Sequence, residues 1–442
     1  MTTSARRVAI AVTDQIRADD AYSNLALPPA IRAARLDSRD AALATDLVYG
    51  THRLQGQFDA IMYLATNKNI SQLDGRVVDI LRLASYDLLV RQTPSHVVNE
   101  WVDLAKKITP RAAGFINAVL RTISRRSQAE WFDDIRRSLT ADDATTAITA
   151  HPRWIREAYA AVRGDDIGTL IEANNEPPVP TLIALPGLAT RPADAYPTLY
   201  SPYGFRNPMG SPTQYTNGSH GTIRVQDEGS QIATLLLTEA QPIVDNETWL
   251  DLCAGPGGKT AILGAVALGA HARVLANEVS AHRADLVDAA VEATADVVMV
   301  VSEDGRDLVA NHRREFSRVL ADVPCTGLGA LRRRAESRWR KSADNLAELV
   351  PLQKELLAAA LDMTAVGGLV AYVTCSPHVA ETTEVIDAVV SARTDVEIVD
   401  TPSVARRIFP TLVDFERGTA VQLWPDRHET DAMFIQLLRV TE

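Results

Sequence analysis

A chain of 442 residues that is 46% hydrophobic and 23% charged, with a formal net charge of −11, has enough apolar residue to bury two or three domain cores, and its acidic balance argues against coating nucleic acid through bulk charge. Three cysteines, Cys253, Cys325 and Cys375, are too few for a disulfide framework and lack the CxxC spacing of a zinc site, so reduced thiols and no metal are expected. No apolar run approaches the roughly 18 residues of a membrane span, and the opening MTTSARRVAIAVTDQ breaks too soon for a signal peptide; the expectation is a cytoplasmic protein, monomeric and without membrane contact.

The first 135 residues read as an all-α domain. Asp37, Ser38 and Asp40 offer caps for a helix through DAALATDLVYGTHRL, and Gly75 precedes RVVDILRLASYDLLV, where Val77, Ile80, Leu81, Ala84 and Leu88 fall at three-and-four spacing. The turn QTPSH leads into VVNEWVDLAKKI, and TPRAAGFINAVLRTISRR closes the segment. Lys106, Lys107, Arg111, Arg121, Arg125 and Arg126 concentrate charge there, as a solvated helix face or a phosphate-contacting surface.

Residues 136–225 read as a linker and a small α+β subdomain. HPRWIREAYAAV is a short helix, NNEPPVPTLIALPG enters a strand, and residues 186–222 wander without periodicity through SPYGFRNPMGSPTQYTNGSHG. RVQDEGSQIATLLL then restarts order as an amphipathic helix.

Residues 226–442 alternate short apolar runs (TWLDL, RVLANE, VVMVV, RVLAD, LVAYVT) with helical stretches, the pattern of a doubly wound parallel sheet with ligands at its carboxyl strand ends. Its centre is TWLDLCAGPGGKT at 248–260, a strand that breaks into a glycine-rich turn and a helix starting near Lys259. Glycines let a ligand approach the backbone, and the helix start supplies free N–H donors. A phosphate-binding loop fails here because Cys253 stands where its first glycine belongs, and a dinucleotide fingerprint fails because its third glycine would fall on Thr260. A cofactor with little or no phosphate remains.

The string DLCAGPGGKT, followed by VPC at 323–325 and VTCS at 373–376, resembles the RNA cytosine-5 methyltransferases that use S-adenosylmethionine. The helical run ending in GFINAVLR looks like the RNA-binding domain of NusB. Their fusion is similar to the 16S ribosomal RNA methyltransferases of the RsmB type. The implied fold is a Rossmann-like methyltransferase domain behind a NusB-like helical domain. The resemblance implies a cofactor site from Cys253, Ala254, Gly255, Pro256, Gly257, Gly258 and Lys259, with Glu278 on the ribose hydroxyls, Asp304 on the adenine amino group, and Asp322 at its edge. Carbon 5 of cytosine is too weak a nucleophile to take a methyl group unaided, so a thiolate must first add at carbon 6. By the resemblance Cys375 attacks, Cys325 assists product release, and Asp322 hydrogen-bonds or protonates nitrogen 3 of the base. Cys253 is read as a small buried hydrophobe with no part in that chemistry. Lys259 approaches substrate or cofactor.

Arg332, Arg333, Arg334, Arg338 and Arg340, in LRRRAESRWRKS, are the candidates for gripping RNA. VQLWPDRHETDAMFIQLL reads as a terminal hairpin; His428 in its turn is a candidate for substrate contact or a purely structural residue. The expected substrate is 16S ribosomal RNA, free or in a partly assembled subunit, with the target cytosine flipped out of any stack. Transfer RNA as substrate, and a non-catalytic RNA-binding assembly factor, are the competing readings.

Overall fold

Short polar side chains start several helices of the N-terminal region. Asp37 accepts the Asp40 N–H at 2.8 Å ahead of helix Ser38–Arg53. Asp74 accepts the Arg76 N–H at 2.9 Å ahead of Gly75–Ser85, and Ser127 with Glu130 forms a reciprocal capping box ahead of Gln128–Ser138. Each cap satisfies donors that a helix start leaves open. In this computed structural model, which describes residues 4–19, 21–207 and 212–442, the chain divides into two compact units.

The first unit runs up to Glu157 and adds Asp165–Pro177 and Leu331–Arg340. It is helical, and the expected apolar stripe is its core: Val77, Ile80, Leu81, Ala84 and Leu88 are all buried, with Phe58, Trp101, Ile116 and Leu120. Lys106, Lys107, Arg111, Arg121, Arg125 and Arg126 all lie on the exposed side. The boundary expected at 135 is displaced, because Ala141–Thr149 packs on Gln55–Thr66 and so extends the same core.

The segment Leu331–Arg340 corrects a second expectation. Arg338 is not a surface arginine: it is fully buried. Its Nη1 donates to the carbonyls of Arg53 and Ala150 at 3.0 Å each and to Asn175 Oδ1 at 2.8 Å, and its Nη2 donates to the Asn174 carbonyl at 3.0 Å. Arg340 donates to the carbonyls of Ile16 and Ala21 and lies over the Tyr22 ring, as does Arg334. Glu336 accepts from the Ser23 N–H at 3.1 Å and its hydroxyl at 2.9 Å. Arg332 is 9% exposed, and Arg333 is half-buried. A guanidinium has five donors in a fixed fork, which suits carbonyls left open at helix ends as well as it suits phosphate. The basic run is largely consumed inside the helical unit.

The second unit comprises Ala158–Gly164, Pro178–Ala330 and Lys341–Glu442, so the expected division at 225 falls within it. Its small antiparallel sheet holds β1 (Thr181–Ala184), β2 (Tyr196–Pro197), β3 (Gly204–Arg206) and β4 (Ile223–Val225) in the order β2-β3-β1-β4. Part of the expected loop-rich stretch, residues 208–211, lies outside the described residues. Helix Glu228–Glu239 follows. It is not amphipathic as expected but buried nearly all round, because it packs against β1, the main sheet and helix Gly258–Gly269 at once.

In the main sheet β5 (Thr248–Asp251), β6 (Arg273–Asn277), β7 (Val298–Val301), β8 (Phe316–Asp322) and β9 (Thr364–Thr374) run parallel in the order β7-β6-β5-β8-β9. All five are the expected apolar runs. Antiparallel strands β10 (Val396–Ile398), β11 (Glu416–Arg417), β12 (Ala420–Gln422) and β13 (Phe434–Val440) complete it, β13 pairing with both β9 and β10. Alternate residues of the central strands face opposite cores: Trp249, Leu320 and Ala371 on one side, Leu250, Val319 and Val370 on the other. Among the described residues no helix is long and apolar enough to cross a membrane. No group of His, Cys, Asp and Glu is placed there to hold a metal.

Removing the Arg338 head leaves several buried acceptors without donors. Arg338→Ala is expected to destabilise the helical unit by about 3 kcal/mol, read as a lower urea midpoint.

Candidate active site

The strand order reverses between β5 and β8, so the loops leaving these two neighbours diverge and open a crevice at their carboxyl ends. The turn after β5 shapes one wall. Gly257 has φ +93°, a conformation L side chains avoid, and a Cβ there would collide with Ala290; a Cβ on Gly255 would collide with Glu278 Oε2. The Gly255 N–H donates to Glu278 at 3.1 Å, and the Ser280 N–H donates to the other carboxylate oxygen at 3.1 Å. Arg283 donates to the Gly255 carbonyl at 2.7 Å and pairs with Glu278 at 3.2 Å. Glu278, 3% exposed and the first residue after β6, therefore braces the turn.

Asp251, at the end of β5, is buried and accepts the Thr260 hydroxyl at 2.7 Å. Burial pushes its pKa up to about 7, with the Thr260 bond opposing. Burial likewise drives the Cys253 thiol well above its ordinary value, so Cys253 stays neutral and packs among apolar neighbours. Asp304, after β7, accepts three donors of Arg306, whose guanidinium also reaches Glu355 at 2.6 Å. Those bonds lower the Asp304 pKa to about 2. It is a carboxylate, and it is shared with a surface arginine.

The crevice floor is charged. Lys259, from the first turn of helix Gly258–Gly269, donates to Asp322 at the end of β8 at 2.5 Å. Burial alone would depress the lysine; the Asp322 charge and hydrogen bond, with Cys375 and Asp251 behind them, outweigh it and raise its pKa. Lys259 is thus held cationic within electrostatic reach of Cys375.

The two cysteines meet because β8 and β9 are adjacent and in register, Asp322 opposite Val373. Three residues past Asp322 and two past Val373, Cys325 Sγ and Cys375 Sγ stand 3.5 Å apart, both half-buried. The hydrogen bond with Cys375, and then burial, push the Cys325 thiol well up. A buried carboxylate that sequence reasoning missed holds their loops. Glu381 accepts the Thr326 N–H at 2.7 Å, the Thr326 hydroxyl, and Gln353 Nε2 at 3.1 Å. The Thr326 and Ser376 hydroxyls meet at 3.2 Å, so the residues following the two cysteines are bonded to each other. Gln353 also holds the Pro324 carbonyl at 2.8 Å, and the Gly329 N–H holds the Cys375 carbonyl at 2.8 Å. Only an acidic residue a few positions past VTCS hinted at this.

His428 takes its structural reading. It is buried, accepts the Trp424 N–H at 2.9 Å through Nδ1, and reaches the Val413 carbonyl at 2.9 Å through Nε2. The expected hairpin around it is β12 and β13. The candidate residues on the glycine turn, Lys259, Asp322 and both cysteines therefore share the β5/β8/β9 end of the sheet, with Glu278 beside them after β6. Arg332, Arg333, Arg334, Arg338 and Arg340 belong to the other unit.

S-adenosylmethionine, the cofactor the resemblance implied, fits this wall. Side chains are excluded at Gly255 and Gly257, the start of a twelve-residue helix faces the turn, and carboxylates follow β6 and β7.

Comparison with known proteins adds an independent line. A family model described as 16S rRNA methyltransferase RsmB/F matches residues 239–439, and one for the NusB family matches residues 3–125. The chain is 42% identical over 450 residues to Rv1407 of Mycobacterium tuberculosis, whose name assigns it provisionally to the methyltransferases; the match covers 98% of this chain and 96% of that one. It is 30% identical over 373 residues to the ribosomal RNA small subunit methyltransferase B of Pseudomonas putida, covering 80% of this chain and 82% of the relative. The solved structure of PH0851 shares the fold over 99% of each chain, with a TM-score of 0.83 at 20% identity.

Two outcomes follow from the geometry. The folded state raises the Asp251 pKa from about 4 to about 7, so its contribution to stability is fully present below about pH 4 and is lost as pH rises through 7. Asp251→Asn, locked neutral, is expected to raise the melting temperature at pH 8 and leave it little changed at pH 4. Glu381→Ala leaves the Thr326 N–H and hydroxyl without their acceptor and is expected to cost about 2 kcal/mol in denaturant unfolding.

Proposed function

This chain belongs to the RsmB/F family of 16S rRNA methyltransferases, and from that membership we propose that it methylates carbon 5 of a specific cytosine in 16S ribosomal RNA through a covalent cysteine–cytosine intermediate. The family's cofactor, S-adenosylmethionine, supplies an electrophilic methyl group. The observation that carries the reading is the 3.5 Å approach of Cys325 Sγ and Cys375 Sγ at the ends of adjacent parallel strands.

Each residue has a task that its surroundings suit. Cys375 adds through sulfur to carbon 6 of the base, and the Lys259 ammonium offers that sulfur a positive neighbour while it is anionic. Asp322, oriented by Lys259, takes up a proton from solvent as the base enters and presents it to nitrogen 3, which lets the ring accept the sulfur. Carbon 5, now enamine-like, takes the methyl group. Cys325 begins as a neutral thiol, held so first by its bond to Cys375. Once the Cys375 sulfur is bonded to carbon 6 that influence is gone, and Cys325 can release its proton to solvent. As a thiolate it then takes the carbon-5 proton while the Cys375 sulfur leaves carbon 6 and the nitrogen-3 proton returns through Asp322 to solvent. The net release is one proton. Glu381 keeps both loops in place throughout.

The test is denaturing gel electrophoresis of Cys325→Ala and Cys375→Ala after incubation with the cofactor and unmodified 16S ribosomal RNA. Cys325→Ala is expected to retain a covalent RNA adduct, and Cys375→Ala to show neither adduct nor methylation. A reversed pattern swaps the two roles; a parent protein that methylates nothing removes the enzymatic reading.

A further inference from the structure

Beside the Cys375 loop the second unit has a cleft of about 270 Å³, lined by Arg163, Arg417, Arg427, Gln422, Trp424 and the acids Asp414 and Glu416 among others. We propose that this cleft is a phosphate subsite that holds the RNA backbone next to the target nucleotide, with the Arg417 guanidinium as its anion ligand. The proposal rests on the RNA reading above.

Its partners set Arg417 apart from Arg163. Arg163 is neutralised by Asp426, which it meets at 2.8 and 2.9 Å, and it lies over the Trp424 ring at 5.2 Å. Glu416 is engaged by Arg406 at 2.7 Å. Asp414 is exposed to solvent, where its field is screened. Arg417 has neutral partners alone: the Pro377 carbonyl at 3.0 Å, Gln422 Oε1 at 2.9 Å, and the Phe434 ring at 5.4 Å. Among the described residues no carboxylate pairs with it. Burial brings its pKa down to about 10, so it remains a cation at neutral pH. A partly desolvated cation without a counter-charge is costly, and a guanidinium fork matches phosphate oxygens in geometry. The position is also specific. Pro377 stands two residues past Cys375, so Arg417 adjoins the loop that carries the proposed nucleophile.

Two roles for Arg417 are separable: binding phosphate, or merely holding the Pro377 loop. Arg417→Gln and Arg417→Lys in the full chain are compared with the parent for anisotropy binding of a 16S-derived RNA oligonucleotide across salt concentrations, and for kcat and KM on unmodified RNA. The Gln variant is expected to bind about tenfold more weakly, with a salt slope reduced by about one and the loss of kcat/KM carried by KM. The Lys variant is expected to recover the slope. Unchanged affinity and slope, a fall in kcat at constant KM, or a parent that does not bind RNA each overturn the subsite. A parent that binds RNA without methylating it overturns the enzymatic reading instead, and leaves the subsite to be decided by the slopes.

Discussion

Parallel pairing of β8 with β9 is the constraint from which the site follows. Their register sets Asp322 beside Val373, and the chain then has two or three residues in which to turn away from the sheet. With so little backbone, Cys325 and Cys375 can only emerge side by side. Had β8 and β9 been separated by another strand, each thiol would be a half-buried apolar residue at a strand end. The hydrogen-bonded ladder is ordinary sheet structure, yet it sets the thiol pair on which the proposed chemistry depends.

Around that pair the molecule handles charge in two ways. Several carboxylates are given a cation or several donors: Asp322 has Lys259, Asp304 has Arg306, and Glu381 has Thr326 and Gln353. Where a group is buried with little compensation, it is pushed toward its neutral form, as at Asp251 and Cys253. What separates the two sets is the number of hydrogen-bonding partners rather than residue type.

Arginine has a different division of labour. In the helical unit Arg338 and Arg340 are structural, serving carbonyls that helices and turns leave open. In the sheet unit Arg318 does the same, fully buried, with Glu247 at 2.9 Å and the carbonyls of Leu237, Gln241 and Pro242 as its acceptors. Each donates to atoms of the chain itself. Arg417, whose acceptors are few and neutral, is the contrast that makes the cleft beside Pro377 a binding surface.

Much of this was written in the residues. The five parallel strands, the glycine turn and the core stripe of Gly75–Ser85 are local patterns, because side-chain period and glycine content act over a few neighbours. So is the pairing of a PC with a TC motif, although only its resemblance to a family said that the two belong together. Burial is another matter. Whether the arginines of LRRRAESRWR meet solvent, whether RVQDEGSQIATLLL shows one apolar face or is enclosed, and whether Glu381 is a surface acid or the brace between two loops all depend on what the rest of the chain lays against them. The sequence by itself determined which residues could do the chemistry; the tertiary structure alone decided which charges are spent on carbonyls and which remain for a ligand, since desolvation and partner distance are properties of the packed chain.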